Sequence, residues 1–302
     1  MEGRQERARA KTEPSLVEQF DAPETIEIAG EQVPVVDIEP KEKKSDIPTV
    51  FVTGFSATPT TLKDAMIRTA EAGRRVIAAK APHGVTIEKD DPALEGVDLP
   101  SAHLRKLKAL LGVIEAKDLT EVNIIADSEG AIIALAAAAL EPEKFKNLVL
   151  VSPAGLIGED TFFQILHRTI ADITLEQKLG KDMQKVEYPS PGSEGATSIL
   201  SNIPASIKEI QAIAHSDITG VLKYLKEKGV LVSIIHAVDD KLFPMERVQE
   251  MTKADMITGF YSVKGTHNMI YNYEPFGRAA EAALSALEDK RKKLTKDNDG
   301  VG

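Results

Sequence analysis

The sequence predicts an α/β fold, a mostly parallel sheet with helices on both faces and a helical cap, and three observations predict it. Short apolar runs of strand length alternate along the chain with stretches of helical periodicity, and strand, helix, strand repeated in this way implies a parallel sheet. Gly130 to Leu140 is apolar on every side, which places it centrally against that sheet. Between Ser152-Pro153 and the apolar run starting near Val230 lie about 75 residues, far more than a single crossover helix needs.

Taken in order, Met1 to Thr12 is charged and poor in apolar residues, and residues 1–20 read as a mobile arm. Thr25 to Ala29 and Val33 to Asp37 alternate around Gly30-Glu31, the pattern of an antiparallel hairpin on a sheet edge. Lys41 to Asp46 is a charged loop. Strands are expected over Thr49–Thr53, Val76–Ala79, Val122–Ala126, Leu148–Val151, Val230–His236 and Thr258–Val263. Helices are expected over Pro59–Glu71, Ser101–Glu115, Gly130–Leu140, Asp217–Glu227, Pro244–Lys253 and Pro275–Lys290. These make one domain over residues 21–290, with a cap insertion at about 157–215. Within the insertion, Phe162, Phe163, Leu166, Ile170, Ile173 and Leu179 recur at helical spacing, and most of that stripe is expected to pack on the main domain. Pro189 to Gly195 reads as a loop and Ser201 to His215 as a second helix, while residues 291–302 form a polar tail expected to fray.

Composition narrows the function. Of 302 residues 42% are hydrophobic and 28% charged, an ordinary soluble balance. The formal net charge of −10, from 37 Lys plus Arg against 47 Asp plus Glu, opposes nucleic acid and anionic membranes as partners. With no cysteine, disulfides, thiolate nucleophiles and Cys-ligated zinc are excluded. The first thirty residues lack a signal-peptide apolar run and no apolar stretch reaches membrane-spanning length, so a cytoplasmic location is expected.

The chemistry centres on Ser128. It stands where the apolar run Val122-Asn123-Ile124-Ile125-Ala126-Asp127 turns into an apolar helix, in the pattern Ala126-x-Ser128-x-Gly130. A sharp strand-to-helix turn that presents a nucleophile needs small residues two positions to either side, and the helix amides behind it face a developing oxyanion. A serine between small residues at a helix start also serves as a plain N-cap, so the remaining residues have to decide. Carboxylates at Asp239 and Asp240 follow the strand ending near His236, and His267 follows the last strand. Both positions lie at C-terminal strand ends, where an open parallel sheet carries its ligand crevice, and the order Ser, Asp, His suits a nucleophile, an orienting acid and a base.

Together these segments resemble the α/β-hydrolase superfamily over roughly Thr25 to Lys290. Thr53-Gly54-Phe55 is similar to the turn that supplies an oxyanion amide, and Arg74 to Gly84 to the next strand and its glycine loop. The resemblance implies Ser128 as nucleophile, His267 as general base and then acid, and Asp240, four residues before Pro244, as the group that holds the imidazole. It implies an oxyanion hole from the backbone amides of Phe55 and Glu129. Thr53 replaces a usual His, Ala126 a usual Gly, and Lys80 an often-found Asp. The Glu129 side chain is expected to face solvent or a polar substrate group.

The other histidines, His83, His103, His167, His215 and His236, form no paired metal-ligand spacing, and Gly54 and Gly84 begin no nucleotide fingerprint, so no metal or cofactor is expected. The expected function is a cofactor-independent serine hydrolase acting on a small-molecule carboxylic ester or related acyl substrate. Alternatives on the same residues are carbon–carbon bond hydrolysis, acyl transfer, or a non-catalytic ligand-binding protein of this fold. Neither oligomeric state nor substrate is written in the sequence.

Overall fold

The computed structural model describes residues 13–28, 30–79, 99–158, 160–182, 203–253 and 255–299. Its strands are β1 (Glu24–Ile28), β2 (Glu31–Ile38), β3 (Thr49–Val52), β4 (Val76–Ala79), β5 (Val122–Asp127), β6 (Phe145–Val151), β7 (Leu231–Ala237) and β8 (Gly259–Val263). They form one sheet in the order β1-β2-β4-β3-β5-β6-β7-β8. The β1–β2 hairpin and the β2–β4 pair are antiparallel, and the other pairs are parallel.

The described helices are α1 (Leu16–Phe20), α2 (Lys63–Glu71), α3 (Ser101–Ala116), α4 (Gly130–Leu140), α5 (Phe162–Asp182), α6 (Ile203–Ala214), α7 (Thr219–Glu227), α8 (Met245–Met251), α9 (Met269–Asn272) and α10 (Glu274–Asp299). They cover both faces of the sheet, and the two-residue period of the strands divides the core accordingly. Ile124, Leu148, Leu150 and Ile234 pack with Leu107 of α3, Ile133 of α4 and Leu222 of α7. Their strand neighbours Ile125, Val149 and Ile235 pack with Phe20 of α1, Met66 of α2 and Leu284 of α10. No helix among the described residues is long and apolar enough to cross a membrane.

A polar network ties α10 beneath the strand starts. Arg74, just before β4, is 5% exposed and pairs with Glu281 at 3.1 Å and Glu288 at 2.7 Å, while Asn123 of β5 donates to Glu288 at 2.9 Å. A buried guanidinium with several acceptors fixes orientation better than a surface pair would. It leaves the opposite, C-terminal strand ends to carry the loops that hold Ser128, Asp240 and His267.

The structure differs from the sequence expectation in three places. The boundary of the N-terminal arm at residue 20 lies too far along the chain, because Ser15 and Glu18 form a capping box and Leu16 and Phe20 are buried on the sheet. Five residues are too few for a periodic signal; residues 1–12 lie outside the described residues. The tail expected from residue 291 is instead helical through Asp299, since its Lys, Arg and Leu are good helix formers. Helices α5 and α6 lie between β6 and β7, but Phe163, Leu166, Ile170 and Ile173 are exposed and the inward face of α5 carries Ile165 and Asp172. The loop expected over Pro189–Gly195 lies outside the described residues.

Candidate active site

Ser128 occupies the turn between β5 and α4 with φ of +52°, a left-handed conformation that a non-glycine residue adopts only when its surroundings enforce it. Here they do: its amide donates to the Val151 carbonyl at 2.9 Å, and its carbonyl accepts from Ala131 at 3.2 Å and Ala154 at 3.1 Å. Space around the turn is equally determined. A methyl group on Gly130 would stand 2.2 Å from the Val52 carbonyl oxygen, and one on Gly54 would stand 2.8 Å from Ser128 Cβ. Replacing Gly130 by Ala therefore pushes α4 away from β3, and is expected to cost about 3 kcal/mol, read as a lowered urea midpoint at unchanged slope.

Three side chains from three strand ends meet at this turn. His267 Nε2 lies 3.0 Å from Ser128 Oγ, and His267 Nδ1 lies 2.8 Å from Asp240 Oδ2. Asp239, the adjacent carboxylate, takes no part; its amide donates to Gly265. Asp240 Oδ1 accepts the Phe243 amide at 2.7 Å, so the loop that delivers the carboxylate also fixes its plane. The Phe243 ring meets the imidazole edge-on at 5.0 Å. Burial would lower the His267 pKa, but Asp240, with Asp172 and Asp127 behind it, outweighs burial and holds it above 6.5. Burial likewise works against the Asp240 carboxylate, and the histidine keeps it below its usual range. The arrangement can carry a proton from the serine hydroxyl to Nε2 while Asp240 stabilises the imidazolium.

Among the described residues, neither the Phe55 nor the Glu129 amide donates to another protein group, whereas the Gly54 amide is committed to Asp127 Oδ2 at 3.0 Å. The Glu129 side chain overturns the expectation that it faces solvent. It is fully buried, 3.0 Å from His103 Nε2 and 2.5 Å from Lys106 Nζ, both on α3. Lys106 also pairs with Glu209 of α6. Burial opposes the Glu129 charge, yet the lysine and histidine bring its pKa down to about 2. Glu209, pushed up by burial and by Glu129, reaches about 7.

Sequence reasoning missed several groups here. Asp127, before the nucleophile position, is raised to about 7 by burial and accepts from Gly54 and from Tyr271, whose hydroxyl is also hydrogen-bonded to Ser128. Its only signal was a carboxylate ending an apolar strand. His236 lies 3.8 Å from Asp240 and 2.8 Å from the Phe243 carbonyl, bracing the acid loop. Asp172 reaches in from α5, where an aspartate in an amphipathic stretch gives no signal at all. Lys80 and His83, in the segment likened to a glycine loop, lie outside the described residues. No cluster of potential metal ligands occurs among the described residues.

Neither a family model nor a curated protein sequence matches this chain. Its backbone does match solved structures. A hydrolase from Pseudomonas aeruginosa PA01 superposes with a TM-score of 0.62 at 16% identity, over 88% of this chain and 97% of that one. An enol-lactonase from Burkholderia xenovorans LB400 gives 0.61 at 14% identity, covering 87% and 100%. A meta-cleavage product hydrolase from Pseudomonas fluorescens IP01 gives 0.56 at 17%, covering 87% and 97%. With the strand order and the parallel pairing described above, these likenesses show that the chain has the α/β-hydrolase fold.

Proposed function

We propose that this chain is a cofactor-independent serine hydrolase acting on a carboxylic ester or related acyl substrate. The observation that carries the reading is the unbroken series from Ser128 Oγ through His267 to Asp240, at 3.0 and 2.8 Å, on a serine held at positive φ. In this reading Ser128 attacks the substrate carbonyl as His267 takes its proton. The tetrahedral oxyanion is received by the Phe55 and Glu129 amides, and His267 then protonates the leaving group. Water repeats the sequence to release the acid. The insertion helices α5 and α6 act as a cap that limits water and shapes the pocket. The likeness to a meta-cleavage product hydrolase supports a second reading, carbon–carbon bond hydrolysis by the same three residues.

The test is labelling with a fluorophosphonate probe. The parent protein is expected to label and Ser128→Ala to remain unlabelled, with turnover of p-nitrophenyl acetate or butyrate following the same split. A folded parent that neither labels nor turns over ester would overturn the proposal in favour of a non-catalytic binding protein.

A further inference from the structure

One face of α5 touches both loops that carry the Asp240–His267 pair. Three residues spaced one turn apart do so, Arg168, Asp172 and Glu176. Arg168 Nε donates to the Leu242 carbonyl at 2.9 Å, in the loop after β7. Glu176 accepts from Asn268 Nδ2 at 3.1 Å, in the loop after β8. Between them Asp172, 1% exposed, takes three backbone amides from the two loops. Its Oδ1 accepts Lys241 at 2.9 Å and His267 at 3.2 Å, and its Oδ2 accepts Asn268 at 3.3 Å. Two of these amides belong to His267 itself and to the residue after Asp240. No other bond joins the two loops through a single group of the insertion among the described residues.

We propose that Asp172 is a positioning residue, which holds the Asp240 and His267 loops in register so that the imidazole points at Ser128 only while α5 is seated over them. The role rests on the serine-hydrolase reading. An ionised carboxylate suits it because three amides converge on two oxygens, which a carboxamide with one acceptor oxygen cannot satisfy. Its charge also faces the imidazole. The titratable groups around His267 are Asp240 from the loop after β7, Asp127 from β5, His236 from β7 and Asp172 from α5; those around Asp172 are His267, Asp240 and Glu176. Removing the Asp172 carboxylate withdraws one of the acidic groups that favour the imidazolium, so the base loses its proton at lower pH.

The experiment compares parent, Asp172→Asn and Asp172→Glu in fluorophosphonate labelling rate, in kcat and KM for p-nitrophenyl butyrate, and in the acid limb of kcat/KM. Asp172→Asn is expected to lower kcat about tenfold to a hundredfold at little-changed KM, and to move the acid limb to lower pH. Asp172→Glu keeps the charge but misplaces the oxygens, so kcat falls while the acid limb stays with the parent. Parent-like kcat and acid limb in Asp172→Asn would overturn the role. Should that variant not fold, parent-like kcat in Asp172→Glu would overturn it instead. A folded parent that does not label brings down the hydrolase reading, whereas a labelled parent with indifferent Asp172 variants brings down this inference alone.

Discussion

Ser128→Ala and His267→Ala are each expected to lower kcat for p-nitrophenyl butyrate by about a millionfold, with the double variant no slower than either single one. The non-additivity is the informative part. If the two side chains act as one unit, in which the imidazole matters only because it takes the proton from Oγ, then removing either removes the same transition-state stabilisation. Asp240→Asn should fall less, by about ten thousandfold, because the imidazole would remain but lose the carboxylate that sets its tautomer and stabilises its charge. KM should barely move in all three, since none of these groups grips the ground state better than the transition state. Losses that multiplied in the double variant would mean that Ser128 and His267 act in separate steps, and losses of only severalfold would mean that the 3.0 Å contact between them is idle.

What was legible in the sequence follows from the range of the interactions. The elbow could be read because its pattern is local, with Ala126 and Gly130 flanking Ser128 and an apolar run ahead of it long enough to name a strand, although what a larger Gly130 would meet is the distant Val52 carbonyl of β3. The sheet could be read because strands β3 to β8 are bounded by turn residues and separated by periodic helices. The environment of Glu129 could not be read. Its partners Lys106 and Glu209 lie 23 positions before and 80 positions after it, on helices whose outward and inward faces differ by a single residue of register. The same holds for α5. Its apolar stripe through Phe163, Leu166, Ile170 and Ile173 looks inward-facing by composition, yet the face turned in carries Asp172, whose carboxylate accepts the amides of two loops. Hydrophobic periodicity finds a helix and its amphipathic axis; polar anchors decide which side is turned in.

Lys106→Met is expected to destabilise the fold by about 3–5 kcal/mol at neutral pH, a drop of roughly 5–10 °C in Tm, although the substitution preserves side-chain volume. The cause is the carboxylate left behind. Glu129 is fully buried and Lys106 is the cation that outweighs its burial, with His103 and Glu209 its other titratable neighbours. The pH dependence gives the sign. In the parent, the Glu129 pKa of about 2 lies below its ordinary value of 4.5, so its charge contributes stability above pH 4.5 that is lost as pH falls from 4.5 through about 2. Without Lys106, burial dominates and the folded-state pKa rises above 4.5, so the variant is penalised most where Glu129 would otherwise be charged. The gap in unfolding free energy between parent and variant should therefore narrow as pH falls towards 4. Glu129→Gln added to Lys106→Met removes the uncompensated charge altogether and should return most of the stability at pH 7, because an ion pair deleted from both ends costs far less than one broken from a single end. A double variant as unstable as Lys106→Met alone would instead assign the loss to the Lys106 contact with Glu209 on α6, and move the origin of the effect from the elbow to the seating of the insertion.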